Sequence, residues 1–291
     1  MCATCGCSPE IEAGPEHGDN HSHEHGHAPG HSHEHAHGHG ENRDHDHGHV
    51  HAPAPLRGAG KGAPSSRPVT VSLEAQVLAK NDALAARNRS WFAGREILAL
   101  NLVSSPGSGK TTLLERTIRD LRDELPIAVI EGDQETSNDA DRIRAAGAPA
   151  IQVNTGTGCH LDASMVAKGL AELKPRAGAV VLIENVGNLV CPALFDLGEH
   201  AKVVVLSVTE GEDKPLMYPH MFRAARIMLL NKIDLLPHVE FDVARVIENA
   251  RQVNPGITAI QVSARTGQGL DGWYRWIRQQ RLGAQQAAVQ P

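Results

Sequence analysis

Apolar and polar positions along the chain follow two periods, and they begin to do so only after about residue 69. Residues 97–103 (ILALNLV) form an uncharged apolar run of strand length, consistent with a strand buried on both faces. After a short glycine-containing loop, Leu114, Ile118, Leu121 and Leu125 are spaced four, three and four, which keeps one helical face apolar. Further strand-sized runs occupy residues 126–131, 150–154, 179–183, 202–207, 227–230 and 257–262. Helical patterns lie between them. One runs from Val69 to about Arg95 with Leu73, Val77, Leu78 and Leu84 as its apolar positions and Thr70 or Ser72 as caps. Another is capped from Thr136-Ser137-Asn138-Asp139 and runs to Ala146. A third starts near Asp162 and turns Val166, Leu170 and Leu173 inward. From Asp242, Val243, Val246, Ile247 and Ala250 share a face, and a last helix spans about Leu270 to Gln280. Strands alternating with helices of this length predict an α/β domain, a mostly parallel sheet covered by helices on both faces.

Composition divides the chain. Residues 1–68 hold almost no large apolar side chains, and 14 of the 18 histidines fall within residues 17–51. Such a segment cannot bury enough apolar surface to offset its ordering entropy, so it is expected to be disordered. The expected organisation is a Cys/His-rich segment with a Pro/Gly/Ser linker over 1–68, a folded domain over 69–283 and a frayed Ala/Gln-rich tail over 284–291. A net charge of −6 argues against a nucleic-acid binder that needs a basic face. No apolar run is long enough to span a bilayer, and the N-terminus lacks the apolar core of a secretory signal. Five cysteines, three of them in the first seven residues, do not form a disulfide framework and suit reduced thiols in the cytoplasm.

The loop after the first strand carries the first chemistry. Gly107, Ser108, Gly109, Lys110, Thr111 and Thr112 sit between a buried strand and an amphipathic helix, the context of a phosphate-binding P-loop. Loop N–H groups and the helix N-terminus would cradle phosphate oxygens, Lys110 would face the β- and γ-phosphates, and the Thr111 hydroxyl would ligate Mg²⁺. Ser104 stands where the full pattern has glycine, and a turn that merely joins strand to helix is the competing reading. Asn231-Lys232-Ile233-Asp234 follows a later strand and is a guanine-reading motif: a carboxylate at Asp234 accepts from both guanine donors, and adenine offers neither in that arrangement. Ser263 and Ala264 follow the last strand and would support the base from its other side. Together these residues predict GTP and GDP as ligands. Asp133 is placed to hold Mg²⁺ through water or to orient the attacking water, though a helix cap is its plainer reading. Glu184-Asn185-Val186-Gly187 would sense the γ-phosphate through the Gly187 N–H, with Glu184 where small GTPases have aspartate.

Two thiol clusters remain. Cys2, Cys5 and Cys7 can close around one soft metal ion such as Ni²⁺, Zn²⁺ or Cu⁺, a redox pair being the alternative. The repeated HSHEHGH and HSHEHAH read as an exchangeable Ni²⁺ or Zn²⁺ sponge. Cys159, His160 and Cys191 lie on two loops expected at one edge of the sheet, enough for most of a Zn²⁺ or Ni²⁺ site. The remaining ligand would be water or a thiolate from a second subunit. His200, His220 and His238 lack cysteine neighbours and read as surface residues.

The motifs SSPGSGKTTL, EGDQET, GTGCHLD, ENVGNLVCP and NKIDLLP, with the amino-terminal CATCGC and the histidine run, resemble the hydrogenase nickel-incorporation GTPase (HypB) family over nearly the whole chain. That resemblance implies a P-loop NTPase of the dimerising SIMIBI class, slow GTP hydrolysis, and delivery of Ni²⁺ to the large subunit of [NiFe] hydrogenase. It implies a GTP-bound homodimer and a zinc-containing partner chaperone, HypA. It further implies a tight nickel site at Cys2, Cys5 and Cys7 and a weaker Ni²⁺ or Zn²⁺ site at Cys159, His160 and Cys191. Serine at the Ser104 position is common in that family. A nickel storage protein with a regulatory nucleotide site is the rival reading. A urease-type nickel GTPase is a second, and it would be expected to carry Cys-Pro-His at the Cys159 loop.

Overall fold

The computed structural model describes residues 69–133, 138–156 and 158–289. Seven parallel strands form one sheet in the order β3-β2-β4-β1-β5-β6-β7. They are β1 (Leu98–Ser104), β2 (Ile127–Asp133), β3 (Ala150–Asn154), β4 (Val180–Glu184), β5 (Ala201–Ser207), β6 (Ala225–Asn231) and β7 (Thr258–Gln261). The sequence pattern anticipated each within a few residues at its ends.

Alternation along β1 shows how the sheet is buried. Leu98, Leu100 and Leu102 face a core shared with Leu113, Leu114, Ile118 and Leu121 of α2 (Lys110–Leu121) and with Trp273 and Ile277 of α9 (Leu270–Val289). Ala99 faces the other way, onto Phe92 of α1 (Val69–Ala93) and onto Val166 and Leu170 of α4 (Ala163–Leu173). Both sheet faces are therefore covered, which is why the strands read as continuous apolar runs rather than alternating ones. Trp273 is fully buried, and its indole N–H donates to Thr117 Oγ1 at 3.0 Å, so the last helix is pinned to α2.

Two expectations are corrected. Leu73 and Val77 of α1 are exposed (60% and 48%) while Leu78 and Leu84 are half-buried, so the apolar stripe is not the helix's main contact. The helix packs through Asn81, Ala85, Asn88 and Phe92, the asparagines being buried because their amides bond loop backbone elsewhere in the domain. The last helix does not stop near Gln280 but continues to Val289, since alanine and glutamine are strong helix formers. Four short elements were not anticipated: α5 (Cys191–Leu194), α6 (Lys214–Met217), α7 (Pro219–Ala224) and a 3₁₀ turn (Ile233–His238). No helix among the described residues is long and apolar enough to cross a membrane.

β1 lies between β4 and β5, where the chain order of the sheet reverses. Loops leaving the carboxyl ends of these strands open the crevice in which such sheets bind ligands.

Candidate nucleotide and metal site

After Ser104 the chain turns through Gly107 (φ 76°) and Gly109 (φ 91°) before α2 begins at Lys110. Left-handed backbone of this kind carries no side-chain penalty only for glycine. Gly109 is constrained a second way, because a Cβ there would stand 2.7 Å from Asn231 Nδ2. That amide donates to the Ser108 carbonyl at 3.0 Å, and Lys232 Nζ donates to the Gly107 carbonyl at 2.7 Å. The segment expected to read the base thus props up the Gly107–Gly109 loop directly. Ser104 is buried in extended backbone and its hydroxyl donates to the Ser105 carbonyl at 2.8 Å, so the position needs no glycine.

Asn231 Oδ1 accepts from Ala264 N at 3.1 Å, and Asp234 Oδ1 accepts from Ser263 Oγ at 2.6 Å. Gly109, Thr112, Asn231, Lys232, Asp234 and Ala264 line a cavity of about 220 Å³ beside the loop. All the base-reading residues expected from sequence meet here.

On the phosphate side, Lys110 Nζ lies 3.1 Å from Glu184 Oε1, and Thr111 Oγ1 lies 2.7 Å from the same oxygen and 3.0 Å from Asp139 Oδ2. Asp139 sits in the first turn of α3 (Asn138–Ala146), and Arg142 Nη1 holds its other oxygen at 2.8 Å. The Glu184 side chain is 2% exposed, and its Oε2 is buried with no hydrogen-bond partner. The Thr111 hydroxyl, linked to the Glu184 and Asp139 carboxylates, forms a set of the all-oxygen kind that Mg²⁺ takes. Gly187 runs against the phosphate loop, a Cβ on it falling 3.2 Å from Pro106 N and Cα. Asp133 closes β2, and its side chain lies outside the described residues.

The second cluster stands at the same sheet edge. Cys159 and His160 precede α4, whose first turn is capped by Asp162 Oδ1 accepting from Met165 N at 2.8 Å. Cys191 opens α5 and is buried. The two sulfurs lie 3.0 Å apart, Cys159 Sγ lies 3.8 Å from His160 Nδ1, and all three ligand atoms fall within 4.8 Å of one another. The His160 ring stacks on Phe195 with centroids 3.9 Å apart. Burial holds its pKa below the ordinary histidine value, with Asp162 opposing, so the imidazole stays neutral as a metal ligand must be. Two sulfurs and one imidazole suit Zn²⁺ or Ni²⁺ rather than Mg²⁺.

The CobW/HypB/UreG nucleotide-binding domain family matches residues 98–261. "Hydrogenase maturation factor HypB" of Escherichia coli (strain K12) is 61% identical over 224 residues, 77% of each chain. The chain belongs to the HypB family. A second HypB, from Rhizobium leguminosarum bv. viciae, is 60% identical over 75% of this chain and 74% of its own. Among solved structures, HypB from Archaeoglobus fulgidus superposes with a TM-score of 0.66 at 38% identity, covering 70% of this chain and 99% of that one. HypB from Helicobacter pylori in complex with nickel gives 0.66 at 37%, covering 70% and 96%.

Within this HypB-family chain the structure brings together the expected nucleotide residues and the triad Cys159, His160 and Cys191. His200, His220 and His238 are exposed, as expected. Cys2, Cys5, Cys7 and the histidine run lie outside the described residues. Sequence reasoning missed Asp139, whose only signal was an acidic residue in a first helical turn. It placed Glu184 where small GTPases have aspartate without foreseeing its contacts to Lys110 and Thr111.

Proposed function

We propose that this protein is a GTP-hydrolysing nickel metallochaperone that helps insert Ni²⁺ into the large subunit of [NiFe] hydrogenase. The observation that carries the reading is the Cys159, His160 and Cys191 cluster standing on two loops at the same sheet edge as the cavity lined by Gly109, Asn231 and Asp234. The hydrogenase maturation role for which its relatives are named, and the nickel complex of one of them, support it. Ni²⁺ is cargo here, and Zn²⁺ is a competitor for the same sulfur and nitrogen donors.

In this reading the loop amides from Gly107 to Thr112 bind the β- and γ-phosphates, and Lys110 neutralises charge that builds on them. Thr111, Glu184 and Asp139 would hold Mg²⁺, which would offset phosphate charge when bound. Lys110 leaves Glu184 for phosphate when nucleotide enters, so the pair seen in the structure is a resting contact. Asp133 orients the attacking water. Asp234 and Ser263 select guanine, and the N–H of Gly187 meets the γ-phosphate. Loss of that phosphate releases the loop and alters metal affinity at Cys191, four residues on, and by linkage metal alters nucleotide affinity equally. GTP favours a homodimer, HypA is the partner in transfer, and Cys2, Cys5 and Cys7 form the tighter nickel site fed by the histidine run. The protein acts in the cytoplasm.

Replacing Lys110 with alanine tests the phosphate-loop role. GTP turnover is expected to vanish while nickel binding at Cys2, Cys5 and Cys7 persists; retained turnover would remove the assignment.

A further inference from the structure

A buried side chain links the segment 184–187 to the segment that carries His160. Asn185 follows Glu184 directly and is 1% exposed. Its Oδ1 accepts from the backbone N–H of Leu161 at 3.1 Å, and Leu161 is the residue after the metal ligand His160. The same oxygen accepts from Val186 N at 3.0 Å, inside the loop that ends at Gly187. On its other side Asn185 Nδ2 donates to Asn101 Oδ1 on β1 at 3.2 Å.

The network continues to the far flank of the cluster. Asn101 Nδ2 donates to Glu199 Oε1 at 3.1 Å, and Glu199 Oε2 accepts from Leu197 N at 2.7 Å. Lys202 pairs with Glu199 at 3.3 Å and donates to the carbonyl of Phe195 at 3.0 Å. Phe195 is the ring stacked on His160. Asn101, Glu199 and Lys202 are all buried, so each bond is shielded from water and expensive to leave unmade.

Beyond these bonds the cluster is gripped from outside by α1. Asn81 Oδ1 accepts from Ala163 N at 2.9 Å, and Asn88 Nδ2 donates to the Ala163 and Leu197 carbonyls at 2.8 and 3.0 Å. Leu161 is therefore held between a fixed helix and the loop that meets phosphate. Its side chain is fully buried against Gly132, where a Cβ would come within 2.6 Å of it, and Gly132 precedes Asp133.

We propose that Asn185 is the positioning residue through which nucleotide state sets metal affinity at Cys159, His160 and Cys191. The proposal rests on the coupling stated under the proposed function and names the side chain that carries it. A shift of residues 184–187 on gain or loss of phosphate cannot occur without moving Asn185 Oδ1 relative to the Leu161 N–H. A buried N–H follows its acceptor or goes unpaired, and Leu161 carries His160 with it.

The test uses the full chain with Cys2, Cys5 and Cys7 replaced by serine, so that the thiolate-to-nickel absorption band reports only Cys159 and Cys191. Ni²⁺ affinity is measured with GDP and with a non-hydrolysable GTP analogue. In this background the two affinities should differ by about fivefold or more. Asn185→Ala should bring their ratio to within about twofold of one while both Ni²⁺ and the analogue still bind. If Asn185→Ala does not yield folded protein, Asn185→Ser, too short to reach Leu161 N, carries the same expectation. A merely structural role would weaken Ni²⁺ equally in both nucleotide states and leave the ratio intact, which overturns the proposal. A ratio of one before any change at Asn185 overturns the coupling itself, a distinct failure.

Discussion

Replacing Asn88 with alanine removes one of the buried contacts by which α1 joins the domain. Asn88 is 5% exposed, and its amide makes two bonds across long sequence separations, to the Ala163 and Leu197 carbonyls. Each bond contributes roughly 1 kcal/mol net, and carbonyls left buried without a donor cost about 1–3 kcal/mol when they cannot rehydrate. Partial relaxation of the neighbouring backbone brings the expected loss to about 2–3 kcal/mol. For a domain of this size that lowers the melting temperature by roughly 4–12 °C. The companion change Arg89→Ala removes a two-pronged contact to Asp196 at 2.6 and 2.8 Å, but both partners are exposed (52% and 37%). Exposed pairs of this kind contribute about 1 kcal/mol or less, so Arg89→Ala should be much the milder variant. Urea unfolding of the two, compared by midpoint at unchanged slope, is the assay. An Asn88→Ala loss within about 0.5 kcal/mol, the range of ordinary surface changes, would refute the account of α1 as a buried clamp.

Other expectations follow from the nucleotide side. Asp234→Asn turns one of the two carboxylate acceptors that face the guanine donors into an NH₂ donor, so competition between GTP and other nucleoside triphosphates should lose its preference for GTP. Unchanged selectivity would contradict the base-reading role. Glu184→Gln keeps shape but removes the charge that faces Lys110 and Thr111. GTP turnover measured across a Mg²⁺ titration should fall by about 10²-fold or more, with a higher Mg²⁺ requirement. Wild-type turnover would assign Glu184 to the resting structure alone.

What the sequence disclosed and what it withheld divide along a physical line. The phosphate loop, Asn231 to Asp234, and the seven strands were legible because their chemistry is local: glycine at left-handed backbone, lysine and threonine at a helix start, uninterrupted apolar runs. Cys159, His160 and Cys191 could be joined because parallel topology brings alternate loops to one edge. Asn81, Asn88, Asn101 and Asn185 were illegible as partners, since a buried amide is specified by the distant backbone it bonds and leaves no periodic trace. The same cause misassigned the packing face of α1, where Leu73 and Val77 carried the apolar signal and the asparagines made the contact. Asp139 was hidden because its role depends on α3 lying beside α2, a matter of packing rather than spacing.

The central claim is that bound GTP controls a metal. Ni²⁺ and Zn²⁺ titrated into the unaltered protein with GDP, and again with a non-hydrolysable GTP analogue, while stoichiometry and mass are recorded, test it most directly. The account predicts that affinity at Cys159, His160 and Cys191 changes with the nucleotide and that mass doubles with the analogue. Identical metal binding in both states, at one unchanging mass, would contradict it.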